Sequence, residues 1–427
     1  MIRSITLFVF TLFITLRASA TSSLSDTCIA DMKELIQLDI YQKEFAQFDP
    51  YFKNRSVIAM GEATHGTHEF FQVKSNMFKY LVERFGFNVF ALEANFNECE
   101  KVNQYILSGI GDSRQIVNEF MLWPWKTEEM LELIEWMKDY NQKHKKKLWF
   151  YGFDSGNSLF LGMPALKNYA KKLNEDIYNK ILLLDSLINK IDTITKRDSV
   201  STVATTMLQE WKMNAGQYKH FTEWPLFLHT LQTVIQNLEY YYLDIVYTVR
   251  DRHMAENIQW ALRQSRNHKI FIWAHNAHVN KDGNFFDVRG WEKWGYKNLS
   301  KTTKPMGYFL KKELGSQSLI IGFEFNQGTF WVNYHDKSLQ KRVYHKVALP
   351  PAPVQTLPYM LSQAKQPVYA IPLTNKSKNT CFTLVPSHNY GGGLPAERSL
   401  EPINLYDSYD MLIFVNKTTP SRALSTQ

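Results

Sequence analysis

The sequence predicts an α/β fold with a largely parallel central sheet flanked by helices. Five apolar runs each lead to a charged or ionisable residue, as is typical of buried parallel strands. Helical periodicity between most of the runs gives the strand–helix alternation of this fold class. Weaker apolar runs near 368–372 and 411–415 are expected to close the sheet. The five main runs are residues 57–60, 89–92, 148–151, 270–274 and 319–323.

Helices are predicted between these strands from apolar spacing near 3.6 residues. Gly86 is expected to end one helix, and Thr127 is expected to cap the start of another. Asp49-Pro50 is interpreted as a turn after the first helix. In chain order the predicted helices are Leu35 to Phe48, Glu69 to Phe85, a segment through Tyr105 and Ile106, Glu128 to Tyr140, and later Gly307 to Leu314.

Residues 164–266 show helical spacing without any strand signal. We therefore predict a long helical insertion over the carboxyl ends of the strands, where it would cover or shape a pocket; packing alone is the alternative. A polar loop, Asn280 to Ser300, follows the next strand. The predicted helices of the insertion are Leu182 to Ile191, Met207 to Tyr218, Leu226 to Tyr242 and Asp251 to Arg266.

The first twenty residues have the pattern of a secretory signal peptide. Arg3 precedes an apolar run, Ile5 to Leu16, that is too short to span a bilayer, and Ala18-Ser19-Ala20 fits the cleavage site. We expect residues 1–20 to be removed, leaving one α/β domain over 21–427 without an integral membrane segment. The protein would then be exported, either periplasmic or secreted.

Composition limits the possible partners. Hydrophobic residues make up 44% and aromatic residues 14% of the chain, which is enough for a large folded core. The formal charge is +8, but the lysines lie in short scattered clusters without interleaved aromatic residues. This pattern favours a solvated face, so no nucleic-acid partner is expected.

Common catalytic motifs are absent from the sequence: it has no G-x-S-x-G, P-loop, H-E-x-x-H or G-x-G-x-x-G pattern. The candidates for chemistry are instead the residues that follow the strands, because ligands bind at the carboxyl ends of parallel strands. These candidates are Glu62, His65, Glu93, Asp154, His275, His278 and Glu324.

His65 is the predicted general base, because an imidazole can take a proton from water near neutral pH. Such a base needs a carboxylate to orient its ring. Glu93 is the first candidate for this role, and Glu62 is the second. His275 and His278 could join His65 as three ligands of a divalent metal, or the three could act as a metal-free acid/base set.

Several blocks of the sequence, between about residues 55 and 330, resemble the erythromycin esterases. They include Gly61-Glu62-Ala63-Thr64-His65-Gly66-Thr67, Ala91-Leu92-Glu93-Ala94, Gly152-Phe153-Asp154, Arg250-Asp251-Arg252-His253-Met254-Ala255-Glu256-Asn257 and Trp273-Ala274-His275-Asn276-Ala277-His278-Val279.

The resemblance implies hydrolysis of the macrolactone ester of a 14-membered macrolide, and hence a role in antibiotic resistance. His65 would be the base, supported by Glu62, Glu93, His275 and His278, and no cofactor would be needed. Lys74 stands where family members carry a basic side chain, often Arg. The residues expected to contact the substrate are Lys74, His68, Asp154 and Glu324.

Two other functions fit the same residues. One is a metal-dependent hydrolase of another ester, with His65, His275 and His278 as ligands. The other is an envelope protein that binds haem or another bulky ligand in an aromatic, histidine-rich cleft.

Overall fold

The computed structural model describes residues 35–239, 246–265, 267–283, 304–336, 341–373, 382, 385–389 and 400–424. The predicted signal peptide and most of the loop Asn280 to Ser300 lie outside these residues. No helix in the described ranges is long and apolar enough to cross a membrane.

A nine-stranded sheet forms the centre of the fold, with strand order β1-β8-β11-β6-β2-β5-β3-β4 and β7 paired to β6. The pairs from β11 through β6, β2, β5 and β3 to β4 are parallel, whereas β1, β7 and β8 pair antiparallel. The predicted, largely parallel sheet is thus confirmed. The strands are β1 (Ile36–Gln37), β2 (Val57–Met60), β3 (Val89–Asn95), β4 (Trp149–Asp154), β5 (Ile270–Trp273), β6 (Ser318–Asp336), β7 (Lys341–Leu349), β8 (Val368–Pro372), β9 (Val385–His388), β10 (Leu400–Ile403) and β11 (Met411–Thr418).

Helices pack on both faces of the sheet over two apolar layers. Gly86 ends the second helix at φ 69°, and the Thr127 hydroxyl accepts a hydrogen bond from Met130 N, so both predicted caps are confirmed. The helices are α1 (Asp49–Phe52), α2 (His68–Phe85), α3 (Phe96–Ser108), α4 (Ser113–Asn118), α5 (Glu128–Lys143), α6 (Ser158–Leu173), α7 (Glu175–Ile188), α8 (Ile194–Met213), α9 (Trp224–Glu239), α10 (Val246–Gln264), α11 (Asn276–Val279), α12 (Met306–Leu314), α13 (Leu357–Ser362) and α14 (Leu405–Ser408).

The helix predicted over Leu35 to Phe48 is wrong. Ile36–Gln37 forms edge strand β1 against β8, and only a short 3-10 turn forms at Ala46–Phe48. Leu38, Phe45 and Phe48 are buried beside the sheet, so tertiary packing overrides the local helical pattern. The predicted turn at Asp49-Pro50 instead starts α1, because proline is well tolerated in the first helical turn.

The predicted insertion is helical and consists of α6 to α10, starting at Ser158 rather than near 164. It has its own apolar core, which includes Trp211 and Phe227. The Asn257 side chain donates to Phe153 O at the end of β4 (2.9 Å), and Asn97, just after β3, donates to Thr230 (3.1 Å). These contacts attach the insertion at the carboxyl ends of β3 and β4.

Close backbone packing fixes the turn that carries His65. Gly66 O accepts hydrogen bonds from Trp331 N (3.2 Å) and Ser421 N (3.0 Å), and a Cβ at Gly66 would overlap the Trp331 backbone.

We predict that Gly66→Ala lowers the free energy of unfolding by about 1–3 kcal/mol in urea titrations, because the backbone must shift. Gly216→Ala is the control, since no atom lies within 4 Å of a Cβ there. Equal unfolding midpoints for the two variants would contradict this packing.

Candidate active site

The sheet order brings the predicted strand-end residues together. Strands β2, β5 and β3 are neighbours, so Glu62, His275 and Glu93 follow or end adjacent strands. His275 N donates to Glu93 Oε2 (2.7 Å), and Asn276 N donates to the carbonyl oxygen of Glu62 (2.9 Å). The expected convergence at one edge of the sheet is therefore present for these three positions.

Glu62 is the centre of a buried network of hydrogen bonds. Its side chain is fully buried, and its Oε1 accepts a hydrogen bond from His65 Nδ1 (2.6 Å). Its Oε2 accepts from Lys74 Nζ (2.5 Å) and Trp273 Nε1 (2.8 Å). Burial alone would raise the Glu62 pKa, but the Lys74 charge and the hydrogen bonds from His65 and Lys74 outweigh it and hold the pKa below its ordinary value. Glu62 is therefore a carboxylate with three donors.

The orienting carboxylate of His65 is Glu62, and the first expectation, Glu93, is wrong for this contact. The turn Ala63–Gly66 folds His65 back over the end of its own strand, which places its ring beside the side chain three residues earlier. Glu93 lies beyond β5 in the sheet and instead pairs with His278 (3.2 Å).

The other ring nitrogen of His65 is available for chemistry. Because Nδ1 donates to a carboxylate, Nε2 carries the lone pair. The His65 side chain is 15% exposed, whereas those of Glu62, Glu93 and His278 are 0%, 6% and 9% exposed. The Trp125 ring lies edge-on at 6.1 Å between ring centroids. The arrangement therefore presents an oriented, accessible base.

His275 is a neutral histidine beside this base. Its ring centroid is 4.8 Å from that of His65, and its Nδ1 accepts from Ala277 N (3.2 Å), so the proton is on Nε2. Burial and the neighbouring His65 lower the His275 pKa to about 3, which keeps the ring uncharged. Nε2 is buried and has no hydrogen-bond partner among the described residues. It is a free N–H donor next to His65.

His278, three residues later, is charged where His275 is neutral. Its Nδ1 contacts Asp251 Oδ1 (2.8 Å) and its Nε2 contacts Glu93 Oε1 (3.2 Å). Burial lowers its pKa, but Asp251 and Glu93 outweigh burial and raise the pKa to about 10. His278 is therefore an imidazolium that bridges two carboxylates.

Asp154 joins the same network through Arg250. The Arg250 guanidinium donates to both carboxylate oxygens of Asp154 (3.2 and 2.7 Å) and lies 3.6 Å from Glu93. Asp154 thus forms a two-pronged ion pair with the insertion, and its expected substrate contact stays a prediction.

The three other residues that were expected to contact the substrate are bound to other side chains. Lys74 is fully buried behind Glu62 and packs over the Trp273 ring at 4.5 Å, and its expected contact with substrate stays a prediction. The His68 ring bonds to Glu129 (2.6 Å). Glu324 is fully buried and accepts from Ser387 and His388. No contact described in the structure joins His68 or Glu324 to the His65 ring.

The alternative three-histidine metal site is not assembled. Within the described ranges, no group of three or more His, Cys, Asp or Glu residues could hold a metal ion. Both nitrogens of His278 face carboxylates, which leaves neither free as a ligand. The expected absence of a cofactor and the haem alternative both stay predictions.

Sequence reasoning missed the roles of Arg250, Asp251 and Trp125. Arg250 and Asp251 belong to α10, a segment assigned from the sequence only as part of the helical insertion. The block Arg250 to Asn257, one of those that resemble the erythromycin esterases, was the signal that could have identified the first two. Trp125 donates to Glu93 O (3.0 Å) besides facing His65, and nothing in its local sequence indicates either contact.

Comparisons with known proteins identify a family and agree with the fold. The erythromycin esterase family matches residues 82–418, a range that includes Glu93, His275 and His278 but not Glu62 or His65. The chain is 25% identical to the putative hydrolase YbfO of Bacillus subtilis strain 168, over 86% of this chain and 85% of that protein. It is 24% identical to erythromycin esterase type II of Escherichia coli, over 64% and 69% of the two chains.

Solved structures share the fold. A crystal structure of a Bacillus cereus protein superposes with a TM-score of 0.76 at 21% identity, covering 94% of this chain and 99% of that one. A mutant of the erythromycin esterase EreC, in its open conformation, superposes with a TM-score of 0.68 at 17% identity, over 92% and 99%. At these identities the likeness shows the fold alone.

The buried Lys74–Glu62 pair gives a stability prediction. Lys74→Met should lower the free energy of unfolding by about 3–5 kcal/mol, because it leaves a buried carboxylate without its cation. Adding Glu62→Gln to this variant should restore much of the loss, as measured in a double-mutant cycle with urea. The control Lys196→Met breaks an exposed pair with Asp192 and should cost at most about 1 kcal/mol. A Lys74→Met loss no larger than that of the control would show that the pair is not buried.

His278 gives a pH prediction. Its pKa is raised from 6.5 to about 10, so the folded state holds the proton of His278 more tightly than the unfolded state does. Its contribution to stability is complete below pH 6.5 and is lost as the pH rises through about 10. The stability difference between the wild type and His278→Gln should shrink over that window, as measured by urea unfolding at several pH values. The exposed His220→Gln should show no such trend; a constant His278→Gln difference would contradict the imidazolium.

Proposed function

The chain belongs to the erythromycin esterase family, and we propose that it hydrolyses a carboxylic ester by His65-activated water. The proposal depends on one observation above all: the His65 ring, held by Glu62 (2.6 Å), lies 4.8 Å between centroids from the His275 ring, whose Nε2–H has no partner among the described residues. An oriented base and a free donor on neighbouring rings are the two groups that water attack on a carbonyl requires.

In the proposed reaction, His65 Nε2 takes a proton from water as the water oxygen bonds to the ester carbonyl carbon. The carbonyl electrons move to its oxygen and give a tetrahedral oxyanion. When the intermediate collapses, the C–O bond to the alcohol breaks, and the imidazolium of His65 returns the proton to the leaving alkoxide. Glu62 holds the ring and stabilises its transient positive charge.

The oxyanion would accept a hydrogen bond from His275 Nε2–H. A neutral donor suits this role, because its proton stays in place throughout the reaction. Loss of one such donor typically slows catalysis about a hundredfold or more. Lys74 is fully buried and donates to Glu62, so His275 is a better candidate for this role than Lys74.

The network around His278 would position this donor. Glu93 contacts the His278 imidazolium through Oε1 and accepts the backbone N–H of His275 through Oε2. Asp251 holds the far side of His278, so α10 of the insertion is tied to the backbone that carries the donor. These residues act on His275 and need no contact with the ester.

For the substrate, we propose the macrolactone of a 14-membered macrolide. The names of two curated relatives, the type I and type II erythromycin esterases of Escherichia coli, support this choice. We further propose that the chain is exported to the periplasm or secreted, because its first twenty residues have the pattern of a signal peptide.

The first test is to incubate the purified chain with erythromycin and measure the gain of one water by mass spectrometry. His65→Gln should lower kcat about 100- to 10,000-fold, the usual contribution of a general base, while the variant still unfolds cooperatively in urea. His220→Gln, an exposed histidine far along the chain, is the control.

The possible outcomes separate the two parts of the proposal. Wild-type hydrolysis of p-nitrophenyl butyrate but not of erythromycin would contradict the macrolide substrate alone. Near-wild-type turnover by a folded His65→Gln variant would contradict His65 as the base.

A further inference from the structure

A cavity of about 600 Å³ lies outside the His65 cluster. Parts of α3 and α6, with Ile116 of α4, line it, and no residue of the proposed catalytic network does. Phe120, Leu161 and Pro164 contribute an apolar wall. The volume is in the range of small-molecule sites, and apolar walls with a few polar groups are typical of them.

Glu100 is the polar feature of this cavity. The residue is 9% exposed, and its Oε1 accepts hydrogen bonds from Tyr169 OH and from Gln104 Nε2 (3.1 Å). No hydrogen bond to Oε2 is found in the described part of the chain. Burial raises the Glu100 pKa, whereas its two hydrogen bonds lower it, and the net result is a raised pKa. Glu100 thus has one carboxylate oxygen without a described hydrogen-bond donor, and its two hydrogen bonds do not fully offset the cost of burying its charge.

Asn97 adds a second unsatisfied acceptor on the same helix. It lines the cavity and is 7% exposed, and its Nδ2 donates to Thr230 Oγ1 (3.1 Å). Its Oδ1 is buried without a partner among the described residues. This oxygen has almost no accessible surface and lies beside Gly162 of α6, so it adds to the cost of burial rather than to the surface that an occupant would contact.

Three lysines line the rim, and two of them are bound to other carboxylates. The third, Lys171, is exposed and makes no contact with Glu100 among the described residues. Lys101 pairs with Glu119 (2.7 Å) and Lys172 pairs with Glu223 (3.1 Å). Their side chains are 59% and 57% exposed, so both charges lie in solvent at the mouth. The charge that best complements Glu100 would therefore come from a ligand.

We propose that this cavity is a binding site for a small organic ammonium ion. The ammonium group donates a hydrogen bond to Glu100 Oε2, and its apolar part packs against Phe120, Leu161 and Pro164. A neutral alcohol of the same shape fills the same space but supplies no charge, so the site discriminates between the two. The proposal is independent of ester hydrolysis, since no group at the cavity takes part in the proposed reaction.

The test is calorimetric titration of the full chain with cyclohexylammonium and with cyclohexanol. Cyclohexylammonium should bind at least tenfold more tightly than the alcohol. Glu100→Gln should weaken ammonium binding at least tenfold, whereas Glu119→Gln, which removes a rim carboxylate, should leave it unchanged. Ala165→Phe adds bulk at the wall without touching Glu100 and should abolish binding of both probes, which keeps the test decisive if Glu100→Gln does not fold.

Four results would overturn the site: no ammonium binding by the folded wild type, equal affinity for the alcohol, full affinity in a folded Glu100→Gln variant, or full affinity in Ala165→Phe.

Discussion

The fully buried carboxylate of Glu62 is the constraint on which the site depends. An isolated charge at this depth would cost several kcal/mol, so the fold must supply compensating donors. It does so from three elements: Lys74 from α2, Trp273 from β5 and His65 from the turn after β2. The hydrogen bond that lowers the cost of burying Glu62 also fixes the tautomer of His65 and leaves its Nε2 as the acceptor. Stability and the orientation of the base thus share one interaction.

His275, at the start of helix α11, and His278, within it, differ in charge because their surroundings differ. Both are buried, and burial alone makes imidazolium unfavourable. His278 is flanked by Asp251 and Glu93, which overcome burial, whereas Glu93 meets the backbone of His275 rather than its ring. The result is a fixed cation at His278 and, at His275, a neutral ring whose centroid lies 4.8 Å from that of His65. The insertion contributes to this division through Asp251, so it supports the site as well as packing beside it.

The sequence predicted the strands and the convergence of Glu62, His65, Glu93 and His275, because the carboxyl ends of parallel strands must lie on one edge. It did not predict which groups pair, since pairing depends on strand order and on side-chain direction. Along β6, Phe323 packs near Lys74 on one face, while Glu324 points to the other and meets His388. Lys74 lies on the apolar face of its helix, three or four residues from neighbouring phenylalanines, so its burial follows from the helical spacing, whereas its pairing with Glu62 does not.

The order of the strands explains why the site needs distant parts of the chain. Strand β5 inserts between β2 and β3, so His275 reaches a position between Glu62 and Glu93 although the insertion separates it from both in sequence. In a β2-β3-β4 sheet without β5, the two carboxylates would lack the Trp273 and His275 donors that now satisfy them. Strand β5, which completes the sheet between β2 and β3, therefore also supplies the donors that complete the site. The proposal of His65 as the base therefore rests on geometry rather than on the family match, which begins at residue 82.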